Sequence, residues 1–175
     1  LIDALLELLQ ARWRSQDLAF AVELADTLLH HFEDEEQEQG GFFFTSDDHE
    51  QLIHKPKPFG DDSMPSGNGV AAFVLQRLGC LLGNLDYLDT AERTLRTAWE
   101  SIRQLPHAHC TLLMALQEHL SPPEILIARG TEAQLQQWKE QQRRYQPGRM
   151  ILAIADDAEI PDALADKKPR QGGVV

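Results

Sequence analysis

Two pairs of adjacent carboxylates, Asp47-Asp48 and Asp61-Asp62, bracket a proline-rich stretch, with His49 and His54 between them. Hydrolysis of a glycosidic bond needs such groups. One carboxylic acid protonates the leaving oxygen and a second carboxylate acts as base or nucleophile, about 5 to 5.5 Å away in retaining enzymes and about 6.5 to 9.5 Å in inverting ones. Neighbouring side chains point apart, so at most one member of each pair serves. Asp61, Asp62 and His49 are the candidates for catalytic roles, and Asp47 and Asp48 for substrate contacts. The structural alternative is equally concrete: Asp residues in loops form turns and caps by accepting hydrogen bonds from nearby backbone N–H groups.

Downstream, Ser66-Gly67-Asn68-Gly69 opens a helix. Free N–H groups with little side-chain bulk beside them hold an anion or a sugar hydroxyl, which makes Ser66 and Asn68 candidate binding residues. The bland role is Ser66 as N-cap, with glycines allowing close helix packing. The motif is neither GxGxxG nor a Walker loop, so nucleotide binding is not indicated. Phe42, Phe43, Phe44 and Phe59 place four aromatic rings around the same stretch. Phe59 is a candidate for stacking on a sugar ring, and most of the others are expected to anchor the loop. The densest histidine cluster is His107-x-His109-Cys110, with His30-His31 next, and neither has the second ligand pair that zinc requires. No metal and no cofactor are expected.

The 175 residues carry 16 Lys plus Arg against 28 Asp plus Glu, a net charge of −12. Both nucleic acid and anionic membrane want a basic face, so neither is the expected partner. The chain is 42% hydrophobic, enough for a buried core. No apolar run approaches the ~18 to 20 residues of a membrane-spanning helix, and no signal-peptide pattern is visible. Two cysteines without a CxxC spacing fit a reducing compartment, and a cytoplasmic location is expected.

These residues must be positioned by helices. Ile2, Leu5, Leu6, Leu9 and Trp13 make one stripe, and Leu18, Ala21, Val22, Ala25, Leu28, Leu29 and Phe32 a second. The short polar link between them predicts an antiparallel hairpin. An acidic run follows, and helical periodicity stops from Gly40 to Ser66, where Gly41–Thr45 has the composition of a short strand. Long ordered loops in compact domains are more often functional than not. Helices resume at Ser66: Ala71, Val74, Leu75, Leu78 and Leu82 form a stripe ending at Gly83-Asn84. Leu88, Ala91, Leu95, Ala98, Trp99 and Ile102 form the next. Leu112, Leu113, Leu116 and Leu120 point inward in a fifth helix, which stops at Pro122-Pro123. Trp13, Trp99 and Trp138 fall on helical stripes and are expected in the core. Glu124–Ala128, a polar helix opened by Thr131-x-x-Gln134, and Met150–Ala155 predict a βαβ unit with parallel strands. The pattern is already running at Leu1, and Gly172-Gly173-Val174-Val175 reads like a strand beginning, so a larger parent protein is expected.

The stretch Gly40-Gly41-Phe42-Phe43-Phe44-Thr45-Ser46-Asp47-Asp48, with Lys55-Pro56-Lys57 and Met64-Pro65-Ser66-Gly67-Asn68, resembles the C-terminal part of the thioredoxin-domain-containing proteins related to spermatogenesis-associated protein 20. The resemblance covers nearly the whole chain and departs at Gly69 and at Asp62-Ser63-Met64. It implies a mainly α chain. Residues 1–121 would form a partial α/α-toroid of helical hairpins, of the six-hairpin glycosidase type and similar to N-acylglucosamine 2-epimerase. Residues 122–175 would be a βαβ tail cut at its C-terminus. It further implies a carbohydrate-active site at the toroid mouth, built from the 40–66 loop, with a sugar or sugar derivative as substrate. The alternative is a non-catalytic module that presents partners to the thioredoxin-like domain of the parent chain. A half ring with exposed apolar flanks is expected to self-associate in isolation.

Overall fold

The computed structural model describes residues 1–34, 40–48, 54–142 and 148–165. His49, the acidic stretch Glu35–Glu38 and the tail Gly172–Val175 lie outside the described residues. The chain is mainly helical with one small parallel sheet. It divides into two units, residues 1–22 with 123–175, and residues 23–122.

In the first unit, α1 (Ile2–Ala11) buries Ile2, Leu5, Leu6 and Leu9 at helical spacing. Parallel strands β1 (Glu124–Gly130) and β2 (Arg149–Ala155) pair in register from Glu124–Arg149 to Gly130–Ala155. They are joined through α6 (Glu132–Gln141), whose Leu135 packs with Ala128 and Ala153. Thr131 N–H donates to Gln134 Oε1 at 2.9 Å, the return bond of the expected capping box. After α1 the chain continues into a second helix, α2 (Ser15–Phe32). In this unit α1 packs on β2, and the Gln10 side chain accepts the N–H of Ile151 at 3.1 Å. An unpaired strand N–H and an apolar helix stripe are satisfied together, and residues 1–22 group with the sheet.

The second unit is built on α3 (Gly67–Leu82), α4 (Leu85–Gln104) and α5 (Cys110–Leu120), with α3 packed against both others. Ser66 is the N-cap of α3 and Gly83, in the left-handed region, its C-cap. Asn84 then caps α4 by accepting from the N–H groups of Asp86 and Tyr87. A single 3-10 turn, Pro106–Ala108, precedes α5.

Two stripes are rotated from their sequence reading. In α4 the buried face is Tyr87, Thr90, Ala91, Thr94, Leu95, Ala98 and Ile102, while Trp99 is 51% exposed. Thr94 enters the core because its hydroxyl donates to Thr90 O at 2.9 Å, leaving no unpaired donor. In α5, Leu112, Ala115 and Glu118 are buried and Leu120 is exposed. Glu118 is tolerated there because Arg77 on α3 donates to both its oxygens, from Nη2 at 2.7 Å and Nε at 3.0 Å. Of the other tryptophans, Trp13 and Trp138 are half-buried. Among the described residues no helix is long and apolar enough to cross a membrane.

Candidate functional site

The loop between α2 and α3 is a strap held by its own polar groups. It leaves α2 by an antiparallel bridge between Glu33 and Phe42, not by a full strand. Asp34 N–H donates to Gly41 O at 2.9 Å and Phe43 N–H to Phe32 O at 2.8 Å. The reversal requires φ of 98° at Gly41, where a Cβ would also sit 3.0 Å from both the Phe59 ring and Asn68 Oδ1. Phe42 points inward at 3% exposure and Phe44 outward at 73%; residues two apart on a continuous strand would share a face, and here the backbone bends after the single bridge at Phe42.

Asn68 is the main clasp. It is 2% exposed, and every polar atom of its amide is used. Oδ1 accepts Phe42 N–H at 2.6 Å. Nδ2 donates to Phe42 O at 3.0 Å and Pro58 O at 2.9 Å. The side chain therefore pairs with Phe42 as a neighbouring strand would.

Lys57 is a second clasp. Its ammonium donates to Asp34 Oδ2 at 2.6 Å and Gly40 O at 3.1 Å, and lies 5.5 Å from the centre of the Phe43 ring. Both partners are nearly buried, so the attraction acts at low dielectric. Nothing in the sequence spacing links Asp34 to Lys57, and Lys55-Pro56-Lys57 enters the sequence reading only through the family resemblance.

Asp61 bridges two helix starts. Its Oδ1 accepts Ser66 N–H at 2.8 Å and its Oδ2 accepts Thr111 N–H at 2.9 Å. Burial pushes its carboxyl up, but these two N–H groups, with the Thr111 hydroxyl and Cys110 N–H, outweigh it and hold the group below its ordinary 3.8. Such a carboxylate stays ionised, has both oxygens occupied, and is a poor proton donor. The Ser66 hydroxyl donates to Pro58 O at 3.3 Å and accepts Gly69 N–H at 3.4 Å, so no base activates it. Gly69 lets α3 approach α5, since a Cβ there would lie 2.9 Å from the Thr111 side chain. Phe59 is half-buried against Gly41, and Asp62 is exposed, its backbone N–H donating to Met64 O at 3.1 Å and its side chain without a partner among the described residues.

Asp47 and Asp48 lie at the other end of the strap. Asp47 N–H donates to His31 O at 2.9 Å, and its Oδ1 lies 2.8 Å from His31 Nδ1. That ring pulls the Asp47 carboxyl below its ordinary value. Ligand atoms of His31, Asp47 and Asp48 fall within 4.8 Å of one another, a set able to hold a divalent cation. The carboxyl end of α2, which favours positive charge, adds to this. His31 was visible in the sequence as half of His30-His31, but its partners are sixteen residues away. His109, from the denser cluster, is buried and pairs its Nδ1 with Leu105 O at 2.8 Å. His54 is exposed. The strap thus engages Asp61, Ser66 and Asn68 internally, leaves Asp62, Asp47 and Asp48 accessible, and brings His31 to Asp47.

No family model matches the chain, and no curated protein matches it.

Proposed function

We propose that residues 23–122 are part of an α/α-toroid that serves as a non-catalytic binding module beside a thioredoxin-like domain of a cytoplasmic parent protein. The observation that carries this reading is the bonding of Asp61. A general acid needs a proton and a nucleophile needs a free oxygen, and Asp61 has neither. The amide of Asn68 and hydroxyl of Ser66 are likewise spent on the strap. The reading also draws on the resemblance of the Gly40–Asp48 and Met64–Asn68 stretches. Apolar side chains are accessible beside these carboxylates: Phe44 and Met64 on the strap and Met114 on α5 are largely exposed, a composition that suits contact with other protein surfaces.

The rival reading, a glycosidase- or sugar-epimerase-like site, is tested in the same experiment. The chain and its Asp62→Asn variant are melted against simple sugars and sugar phosphates, and a thioredoxin-like domain is titrated into the chain by calorimetry. Saturable binding of that domain, with equal melting of both proteins in every sugar, is the expected result. A sugar-dependent rise in melting temperature that Asp62→Asn abolishes overturns the module in favour of a sugar site.

A further inference from the structure

A cavity of about 590 Å³ in the first unit is lined from the carboxyl ends of β1 and β2, at Gly130 and Ala155, by α6 and by Arg12 and Trp13. The carboxyl ends of parallel strands are where α/β architectures place ligands, and the volume falls in the range of small-molecule sites. Its walls are fixed. The Trp13 indole donates to Glu159 O at 3.2 Å, and the Ser15 hydroxyl donates to the same oxygen. Arg129, itself buried, ties down the loop after β2 by donating to the carbonyls of Ala155 and Asp156, both at 3.2 Å. Apolar lining comes from Trp13, Leu135, Ala153 and Ala155.

The charges divide into engaged and unengaged. Lys139 donates to Ala11 O at 2.8 Å, which directs its ammonium to that carbonyl and leaves its charge in place. By contrast Glu132, Asp156 and Asp157 are exposed carboxylates with no side-chain partner among the described residues, and Arg12 is the one lining cation in that condition. Three carboxylates against the two cations Arg12 and Lys139 leave the lining net negative, which beside an indole favours an organic cation over an anion. We infer that this cavity binds a small organic amine, its ammonium or guanidinium group among Asp156, Asp157 and Glu132 and its apolar body against Trp13 and Leu135. This inference is independent of the role proposed for residues 23–122.

The test is ¹H–¹⁵N spectroscopy of the chain, read at the indole N–H of Trp13 with that of the exposed Trp99 as control. Phenethylamine and agmatine are the cationic probes, 2-phenylethanol the neutral one and phenylacetate the anionic one. The amines are expected to shift Trp13 saturably and Trp99 not at all, with the neutral and anionic analogues at least about tenfold weaker. Asp157→Asn is expected to weaken the amines about fivefold, and Arg12→Gln to tighten them about twofold. Both side chains are exposed and without a partner among the described residues, and the rest of each spectrum verifies the fold. No Trp13 shift with either amine up to roughly 20 mM, where even a weak millimolar site would fill, overturns the inference. So does preference for phenylacetate, or weaker amine binding by Arg12→Gln.

Discussion

The strap of the helical unit and the cavity of the βαβ unit use the same kinds of residue, carboxylates with basic and aromatic neighbours, to opposite ends. In the strap Asp61, Asn68, Asp34 and Lys57 each spend their polar atoms on named backbone or side-chain partners. Around the cavity Glu132, Asp156, Asp157 and Arg12 stand without side-chain partners among the described residues. A polar group already satisfied contributes to the fold and has little left to offer a ligand, while an unsatisfied one beside an apolar lining has an interaction to gain. Residue type alone does not separate these cases; bonding does.

The comparison breaks if the strap residues prove dispensable. Asn68→Ala removes three hydrogen bonds and strands the buried N–H of Phe42, so a loss of about 3 kcal/mol is expected in urea unfolding monitored by circular dichroism. A loss below about 1 kcal/mol would mean that water replaces the clasp.

A smaller effect sharpens the same point. Asp61→Ala strips one acceptor from each of two N–H groups, and a loss of about 2 kcal/mol is expected at neutral pH. Its folded carboxyl stands below the ordinary 3.8. The stabilisation is therefore fully present above the unfolded value and is lost as pH falls through the lower folded one. The gap between wild type and Asp61→Ala should be constant near neutrality and narrow only below about pH 4. A gap that instead widens on acidification would place the proton on Asp61 in the folded state, as a general acid requires.

The smallest effect belongs to Asp62→Asn. The side chain is exposed, and a change within about 0.5 kcal/mol is expected in the same unfolding experiment. A larger loss would extend the strap's internal bonding to Asp62 and remove it from the accessible set.

Much of the architecture was legible from local pattern. The buried stripe of α1, the N-cap at Ser66, the stop at Gly83 and the parallel strands around α6 all follow from spacing of apolar residues and from cap chemistry. The errors have a common cause. Trp99 and Leu120 continue apolar stripes, yet both are exposed, because helices drift from a fixed repeat and Thr94 and Glu118 could be buried once bonded. The link of α1 to β2 rests on residues about 140 positions apart, Gln10 and Ile151, a distance over which no periodicity speaks.

By itself the sequence determined the element types, their approximate ends, the acidic surface and the loop in which polar residues concentrate. These depend on interactions within a few residues: side-chain period, capping and backbone preference. Only the tertiary structure decided which polar residues are spent and which are free. Whether Asp61 is an acid or a bridge depends on Thr111, fifty residues on. Whether Asp157 is available depends on an arrangement of α6, β2 and Trp13 around one cavity. Hydrogen bonds and burial are set by proximity in space, and it is these that fix the protonation, solvation and reach of a side chain.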